Sequence, residues 1–376
     1  MVFSWNTKSV SLCETLDPEI ASYNRESYSK YIPGLTTWQY ASDVPDFFTS
    51  FLQLIRNKDP DILIIGFQED RFPGSYFHSH LLPEQMPQIG YDLVKRTKLM
   101  GVGVTSYKGL LNKDPFERGI RVSVYAKIDL IPIIQQEESE MRPIVGNDGQ
   151  SEYVCSSSLT RSKGGTASYL MLPGFGRLAF ICCHLPFNAQ SIIDERIQDN
   201  TMVRQNALNQ SNTCFNNIIE ELVLNRKPVP THVIYFGDFN YRLNTHESGD
   251  DIMNNFLVSS QDKKKEFIHQ MYVDHDELKD QMERGNIYKF SEAQINFIPT
   301  CKMMKGRNTT EVRLDEPLWN TGRMKQRIPS YCDRILYHKF IEDGHNLECI
   351  YYDRFDVGEV MAKSDHAAVV AVFTLS

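Results

Sequence analysis

The chain has 376 residues, of which 41% are hydrophobic and 23% charged, so it can bury a sizeable core and is not globally disordered. Its formal net charge of −8 argues against a protein that binds duplex nucleic acid mainly by neutralising phosphates. No apolar run approaches the ~18 residues that span a bilayer, and the N-terminal residues do not resemble a secretory signal.

Short apolar runs rich in β-forming residues recur from end to end of the chain. They lie at 61–67, 121–125, 178–183, 232–236, 334–337 and 367–373. Near-continuous apolar strands are buried on both faces, which predicts a layered protein. Helical patterns occupy residues 43–57, 190–224 and 262–283, without the regular alternation of a doubly wound sheet. These features favour an α/β sandwich in a single domain over residues 1–376.

The chain contains eight cysteines, and no pair of them has the C-x-x-C spacing that would support a zinc site. We expect them to be small buried hydrophobic residues in a reducing compartment. Cys182 and Cys183 are adjacent in a predicted strand, so their side chains are expected to point to opposite faces.

Acidic, amide and imidazole side chains lie at the ends of several predicted strands. They are Asn6, Gln68, Glu69, His184, Asp238, Asn240, Asp333, Asp365 and His366. One such residue alone is explained by capping of a turn. Strand ends at one edge of a sheet converge in space, however, so together these side chains predict one pocket.

The chemistry of these side chains indicates metal-assisted phosphoester hydrolysis. Glu69, with Asn6 or Asp365, offers the hard oxygen ligands that Mg²⁺ accepts. His184 and His366 can donate to a phosphate, and Asp238 can accept a proton from water.

Three motifs give a specific resemblance to a family. The sequences GDFNYRL at 237–243, PSYCDRIL at 329–336 and SDHAAV at 364–369 resemble late signatures of the inositol polyphosphate 5-phosphatases, within the endonuclease/exonuclease/phosphatase superfamily. Earlier motifs agree in order: SWN at 4–6, IGFQE at 65–69, SKGG at 162–165 and CHL at 183–185. The resemblance implies a four-layer α/β/β/α sandwich of the deoxyribonuclease-I-like type. Tyr331 and Cys301 depart from the family pattern, where a Trp and an aromatic residue are usual.

The resemblance also implies roles for the site residues. Glu69 is similar to the main Mg²⁺ ligand, with Asn6 and Asp365 on the metal side. Asp238 resembles the residue that activates or orients the attacking water, and Asn240 the one that holds a phosphate oxygen. The expected catalytic set is Asp238, Asn240, His184, His366 and Asp333, with His184 stabilising the transferred phosphoryl group and Asp333 holding His366.

A basic segment carries the substrate prediction. Residues 302–334 contain eight Lys and Arg against four Asp and Glu, a composition that alone is typical of a solvated loop. The segment resembles the one with which the family grips the 4-phosphate of the inositol ring, and Lys302, Lys325 and Arg327 would be its contacts. Further expected substrate contacts are Lys163, Arg242 and Arg334.

The resulting hypothesis is a Mg²⁺-dependent phosphatase that removes the 5-phosphate from 4,5-bisphosphorylated inositol head groups. Expected substrates are phosphatidylinositol 4,5-bisphosphate and also phosphatidylinositol 3,4,5-trisphosphate or soluble inositol polyphosphates. The enzyme would be cytoplasmic and would contact membrane surfaces peripherally, without binding nucleic acid. The alternatives are an endonuclease of the same superfamily and a catalytically inactive phosphoinositide-binding module. The sequence leaves open the oligomeric state and the choice between lipid and soluble substrates.

Overall fold

Two mixed β-sheets of six strands each pack face to face at the centre of the protein. The computed structural model describes residues 1–7, 44–72, 82–100, 104–107, 110–113, 117–135, 151–155, 163–186, 201–247, 251–252, 255, 260–301, 328–342, 344–355 and 364–376.

The first sheet has the strand order β13-β14-β1-β2-β6-β3. Its strands are β1 (Val2–Asn6), β2 (Ile62–Phe72), β3 (Tyr91–Met100), β6 (Glu117–Lys127), β13 (Leu347–Phe355) and β14 (Ala368–Leu375). The two strands β1 and β2 are parallel, and the other pairs are antiparallel. A separate hairpin pairs β4 (Val104–Tyr107) with β5 (Leu110–Lys113).

The second sheet has the order β11-β12-β10-β9-β8-β7. Its strands are β7 (Glu152–Val154), β8 (Gly164–Leu172), β9 (Gly176–His184), β10 (His232–Asp238), β11 (Ser291–Glu292) and β12 (Asp333–Lys339). Only β9 and β10 are parallel to each other.

Helices flank the two sheets. They are α1 (Val44–Lys58), α2 (Leu82–Gln85), α3 (Thr201–Ile219), α4 (Gln261–His275) and α5 (Glu277–Glu283), and a π-helical turn, Glu220–Leu224, extends α3. Phe51 of α1 packs against the first sheet, and Phe215 of α3 packs against the second. The order helix, sheet, sheet, helix confirms the predicted four-layer sandwich.

The alternation of side chains along the strands divides the core into layers. In β10, Ile234 and Phe236 face the first sheet, whereas Val233 and Tyr235 face the helices. Both faces are buried, which explains why the predicted strands are continuously apolar. Fully burying one such side chain is worth roughly 1.5–3 kcal/mol, so these clusters provide most of the cohesion between layers. Gly66 lies against the Phe236 ring and allows the two sheets to approach closely.

All six strands predicted from apolar runs are present, but three long strands were missed. Two of these, β3 and β13, lie at the two edges of the first sheet and contain charged as well as apolar residues, and the third is β8. An edge strand has a solvent-facing side, so it lacks the continuous apolar run by which the others were found. The predicted helix at 262–283 is instead two helices, which meet at Asp276.

The structure corrects the prediction for two of the cysteines. Cys155, directly after β7, forms a disulfide with Cys214 of α3, 59 residues away in sequence. Pairing over such a separation cannot be read from cysteine spacing. Cys182 and Cys183 do face opposite sides of their sheet, as predicted. Within the described ranges, no helix has both the length and the apolar character to cross a membrane.

Candidate active site

Four neighbouring strands of the second sheet place polar residues in one row along the same edge of the sheet. In the strand register, Gly164 of β8 pairs with His184 of β9, His184 pairs with Asp238 of β10, and Asp238 pairs with Asp333 of β12. Lys163 directly precedes this row. The pairing of the strands therefore brings together residues that are up to 170 positions apart (163 to 333).

The first sheet presents a matching edge. Asn6 is the last residue of β1 and pairs with Gln68 of β2, so the next residue, Glu69, lies at the same end. A bulge in the pairing of β2 with β6 interrupts the ladder between Phe67 and Asp70, and Glu69 adopts a φ of 51° there. Left-handed backbone at a non-glycine residue is strained and is concentrated at functional sites.

Two hydrogen bonds cross from one sheet to the other at this edge. The Asn6 Nδ2 donates to Oδ2 of Asp238 over 2.8 Å. The Nδ1 of His366, which lies just before β14, contacts Oδ2 of Asp333 over 2.9 Å. The packing of the two sheets therefore also brings the polar residues of the site together.

The position of His366 is fixed by three contacts. Besides the bond to Asp333, its backbone N–H donates to Oγ of Ser364 over 3.1 Å. Its carbonyl oxygen accepts from the indole Nε1 of Trp5 over 3.1 Å. Because Nδ1 is bound to Asp333, the other ring nitrogen, Nε2, is the one available for chemistry.

The charges around His366 favour its protonated form. Burial alone would lower the pKa of the imidazole, but nearby Cys301, Asp333 and Asp238 raise it well above its usual value. Burial raises the pKa of the partner carboxyl, Asp333, to about 7, because the charge of His366 offsets that effect only in part. A buried imidazole held in this way can donate a proton or a hydrogen bond to an oxyanion.

Asp238 is a carboxylate with both oxygens engaged. Its Oδ1 accepts from the backbone N–H of Asn240 over 3.0 Å, and its Oδ2 accepts from Asn6. Burial would raise its pKa, but the charge of His366 and the hydrogen bond from His184 hold that pKa well below the usual range. Such a group stays ionised, so it is better suited to orienting a water molecule than to deprotonating one.

Asn240 and Arg242 form a polar arm beside this carboxylate. Asn240 has a φ of 58° and donates through Nδ2 to the Leu185 carbonyl over 3.1 Å. Its Oδ1 accepts from Nη2 of Arg242 over 3.0 Å, and the other end of that guanidinium contacts Sγ of Cys301. The arm places amide and guanidinium donors at the edge of the site.

His184 and Lys163 provide a second pair of nitrogen groups. His184 Nε2 is in contact with the Lys163 ammonium and lies 3.3 Å from Oδ2 of Asp238. Burial and the charge of Lys163 lower the pKa of the imidazole, which keeps it neutral. Gly164, the first residue of β8, has a φ of 154°. A side chain is not tolerated there, because a Cβ would collide with the Tyr153 carbonyl oxygen.

The donor set fits a hard divalent cation. Asn6 donates to Asp238 through its amide nitrogen, and its carboxamide oxygen is a potential ligand. Glu69 lies beside it at the same strand ends, with its Oε1 3.8 Å from His184, and Asp365 lies 3.9 Å from His366. Oxygen donors of this kind suit Mg²⁺ or Ca²⁺ rather than a soft metal. Asp238, Asp333 and His366 also form a compact cluster, but there Asp333 and His366 already bind each other.

The structure corrects the assignment of Arg334 to the substrate. Its guanidinium is fully buried and donates to Asp276 over 2.8 Å and to Oε1 of Glu292 over 2.6 Å. With both partners inside the protein, the charge is neutralised and has no route to a phosphate. The PSYCDRIL motif thus supplies one site residue, Asp333, and one structural residue.

Some predicted contacts lie outside the described residues, and one contact was missed. The predicted contacts Lys302, Lys325 and Arg327 lie outside the described residues. The missed contact is Cys301, whose Sγ lies 3.4 Å from Nε2 of His366. Only its departure from the family's aromatic residue marked this position in the sequence.

A separate cavity of about 350 Å³ lies beside the Cys155–Cys214 disulfide. Carboxamide and hydroxyl side chains such as Asn206, Asn209 and Thr213 line it, and among the described residues its lining contains no carboxylate or imidazole. It lacks the groups that hydrolysis requires, so the converging strand ends remain the candidate site.

Comparison with known proteins identifies the family of the chain. The profile of Endonuclease/Exonuclease/phosphatase family 2 matches residues 36–372. A similar curated protein is the phosphatidylinositol polyphosphate 5-phosphatase type IV of Rattus norvegicus, with 37% identity over 106 residues. That alignment covers 28% of this chain and 14% of the relative's length. The resemblance to inositol polyphosphate 5-phosphatases is thereby confirmed.

Solved structures support the fold. The inositol polyphosphate 5-phosphatase domain of SPsynaptojanin, in complex with inositol (1,4)-bisphosphate and calcium ion, aligns with a TM-score of 0.55 and 18% identity. The alignment covers 99% of this chain and 82% of that domain. A Cimex nitrophorin aligns with a TM-score of 0.57 and 15% identity over 100% of this chain and 97% of its own. The same fold thus occurs in proteins of different activity, and only the site distinguishes them.

Proposed function

Because this chain belongs to the endonuclease/exonuclease/phosphatase family, we propose that it is a Mg²⁺-dependent phosphatase that removes the 5-phosphate from 4,5-bisphosphorylated inositol head groups. The observation that carries the proposal is the contact between residues at strand ends of the two sheets. Asn6, beside Glu69 in the first sheet, binds Asp238 of the second sheet. The curated relatives named as 5-phosphatases support it, although the alignment spans only about 14% of the length of the first of them.

The metal site of the proposed enzyme consists of Glu69, Asn6 and Asp365. A bound Mg²⁺ would supply Lewis-acid stabilisation of charge on the phosphoryl oxygens. Glu69 has a strained φ of 51°, and its Oε1 lies 3.8 Å from Nε2 of His184 at a neighbouring strand end. Asn6 links this site to the water-orienting carboxylate, since its amide nitrogen already holds Asp238.

The chain's own residues perform the remaining work of the proposed reaction. Asp238, ionised and held on both oxygens, orients the attacking water. His366, positioned by Asp333, donates to a phosphate oxygen, and Asn240 holds another. On the opposite side of the site, the Lys163 ammonium neutralises charge, and the neutral His184 beside it stabilises the transferred phosphoryl group by hydrogen bonding. Fixed donors aimed at developing oxyanion charge are usually the largest contribution to such catalysis.

Specificity for the 4-phosphate is assigned to the cations Lys302, Lys325 and Arg327. Arg242, which reaches the edge of the site through Asn240, is a further proposed phosphate contact. The proposed substrates are phosphatidylinositol 4,5-bisphosphate and the corresponding 3,4,5-trisphosphate or soluble inositol polyphosphates. Lipid substrates imply peripheral contact with a cytosolic membrane leaflet.

A substrate panel tests the proposal. Phosphate release is measured in Mg²⁺ on vesicles containing phosphatidylinositol 4,5-bisphosphate and on soluble inositol 1,4,5-trisphosphate, with His366→Ala as the matched inactive control. We expect release from at least one head group and a strong loss in the variant. Cleavage of abasic DNA without phosphate release would assign the site to a nuclease. Vesicle binding without turnover would assign it to an inactive binding module.

A further inference from the structure

Cys301 lies between two segments of the candidate active site. Its backbone forms bridges with Ser330 on one side and with His366 on the other. The Cys301 N–H donates to the Ser330 carbonyl oxygen over 3.1 Å. On the other side, the N–H of Ala367 donates to the carbonyl oxygen of Thr300 over 2.8 Å. The backbone at Cys301 is therefore held from both sides, which restricts where its side chain can reach.

The side chain of Cys301 makes two polar contacts. Its Sγ lies 3.4 Å from Nε2 of His366 and 3.6 Å from Nη1 of Arg242. A cysteine thiol is both a weak donor and a weak acceptor, so it can bind the imidazole and also accept from the guanidinium. Cys301 belongs to none of the apolar clusters that the described residues form, whereas Cys182 and Cys183 do. Contact with two nitrogen groups therefore distinguishes this buried cysteine from those of the core.

Each of the two nitrogen groups has a second anchor on its other nitrogen. Nδ1 of His366 contacts Oδ2 of Asp333 over 2.9 Å. Nη2 of Arg242 donates to Oδ1 of Asn240 over 3.0 Å. These anchors hold the imidazole and the guanidinium separately, because they belong to different segments of the chain. The sulfur of Cys301 contacts both groups, so it sets the separation between them.

We propose that Cys301 is a positioning residue, whose sulfur holds the imidazole of His366 and the guanidinium of Arg242 at the separation at which both donate to one phosphate group. Both contacts end on the same atom, and a phosphate with charge-assisted hydrogen bonds of about 2.7–2.9 Å to each nitrogen can span the gap between them. The sulfur itself does not reach substrate, because Cys301 is fully buried. The inference rests on the proposed function, in which both nitrogen groups bind phosphate.

Positioning of this kind affects turnover more than substrate binding. Donors that are fixed in advance toward the charge that develops in the transition state need no reorganisation during the reaction. In Cys301→Ala both donors keep their other anchors, but the contact that sets their separation is lost. We expect kcat to fall by about 10-fold, which corresponds to one net hydrogen bond. The KM should change by less than about twofold, because the lost contact acts mainly in the transition state.

Two variants separate the polar contacts of Cys301 from the volume of its side chain. Cys301→Ala and Cys301→Ser both leave a small cavity, but the serine hydroxyl can still bind the two nitrogen groups. In phosphate release from soluble inositol 1,4,5-trisphosphate with Mg²⁺, we expect Cys301→Ser to recover most of the kcat that Cys301→Ala loses. The control Cys349→Ala, at a half-buried thiol of β13, should match the wild type. Equal losses in the Ala and Ser variants, or a loss confined to KM, would overturn the proposal.

A double-mutant cycle tests whether Cys301 acts through Arg242. In the Arg242→Ala background, one of the two contacts of the sulfur is already absent. Cys301→Ala should therefore lower kcat by clearly less than the factor of about 10 expected in the wild-type background. Strictly multiplicative losses would show that the sulfur and the guanidinium act independently, and they would contradict the proposal.

A measurement that needs no activity separates failure of this inference from failure of the proposed function. In protein with ¹⁵N-labelled histidine and without substrate, the imidazole signals of His366 are identified by their absence in His366→Ala. They should shift in Cys301→Ser and also in Arg242→Ala, in which the cysteine is unchanged, but not in Cys349→Ala. Unshifted signals would overturn the positioning role. Shifted signals in a protein that releases no phosphate from any head group would confirm the contact and count against the proposed function alone.

Discussion

Asp333 and His366 lie at the edges of different sheets, and the 2.9 Å hydrogen bond between Asp333 Oδ2 and His366 Nδ1 joins the sheets at the candidate active site. Asp333 begins β12 in the second sheet, and His366 lies just before β14 in the first. Each residue is nearly or fully buried, so water does not compete for the bond. The orientation of the imidazole therefore depends on how the two sheets pack.

Asp238 and His366 are expected to act as one unit. Asp238→Asn or His366→Ala alone should lower kcat by about 10²–10⁴-fold, the usual range for a positioned proton-transfer or orienting group. The double variant should lose much less than the product of the two, because either loss already disables the same step. Steady-state kinetics measure this, with the exposed Asp129→Asn as the control. Strictly multiplicative losses would place the two residues in independent steps.

Metal dependence is expected to act through Glu69. Glu69→Gln keeps the size of the side chain but removes the charge that a hard cation needs, so turnover should fall strongly while circular dichroism stays native. Excess EDTA should abolish the activity of the wild type, and Mg²⁺ should restore it. The exposed Glu84→Gln should behave as wild type. Full activity in EDTA would show that the reaction proceeds without the ion.

Arg334 is expected to be structural and Arg242 functional. Removing one partner of a buried ion pair costs about 3–5 kcal/mol, because the carboxylates left behind are uncompensated. Arg334→Ala should lower the free energy of unfolding by about that amount, measured by urea denaturation. Arg242→Ala should instead lower kcat/KM with a smaller change in stability. A stable Arg334→Ala protein with a selective defect in substrate binding would restore the original assignment.

Arg327 is expected to recognise the 4-phosphate. One charged hydrogen-bonded contact is worth about 1.5–3 kcal/mol, or one to two powers of ten. Arg327→Ala should lower kcat/KM by about that factor on a 4,5-bisphosphorylated head group. It should barely change the low rate on a head group with a 5-phosphate alone. Removal of the 4-phosphate from the substrate acts as the second mutation of a double-mutant cycle. Equal losses of kcat/KM on both substrates would contradict the assignment.

The sequence alone predicted the layered fold and most of the converging side chains. Continuous apolar runs marked the central strands, because those strands are buried on both faces. Polar residues at their ends, such as Glu69, His184 and Asp238, are conspicuous since a buried strand rarely ends in several such groups. The edge strands β3 and β13 escaped detection because charged residues interrupt their apolar residues.

The tertiary structure alone decided which of these polar groups touch one another. Strand register placed His184, Asp238 and Asp333 in one row, and sheet packing set His366 against that row. The same packing buried Arg334 between two carboxylates, although its motif suggested a phosphate contact. A sequence motif gives the residue types along one segment, whereas the partner of a buried charge depends on contacts between segments that are far apart in the sequence. For that reason the Cys301 sulfur beside His366 became visible only in the folded protein.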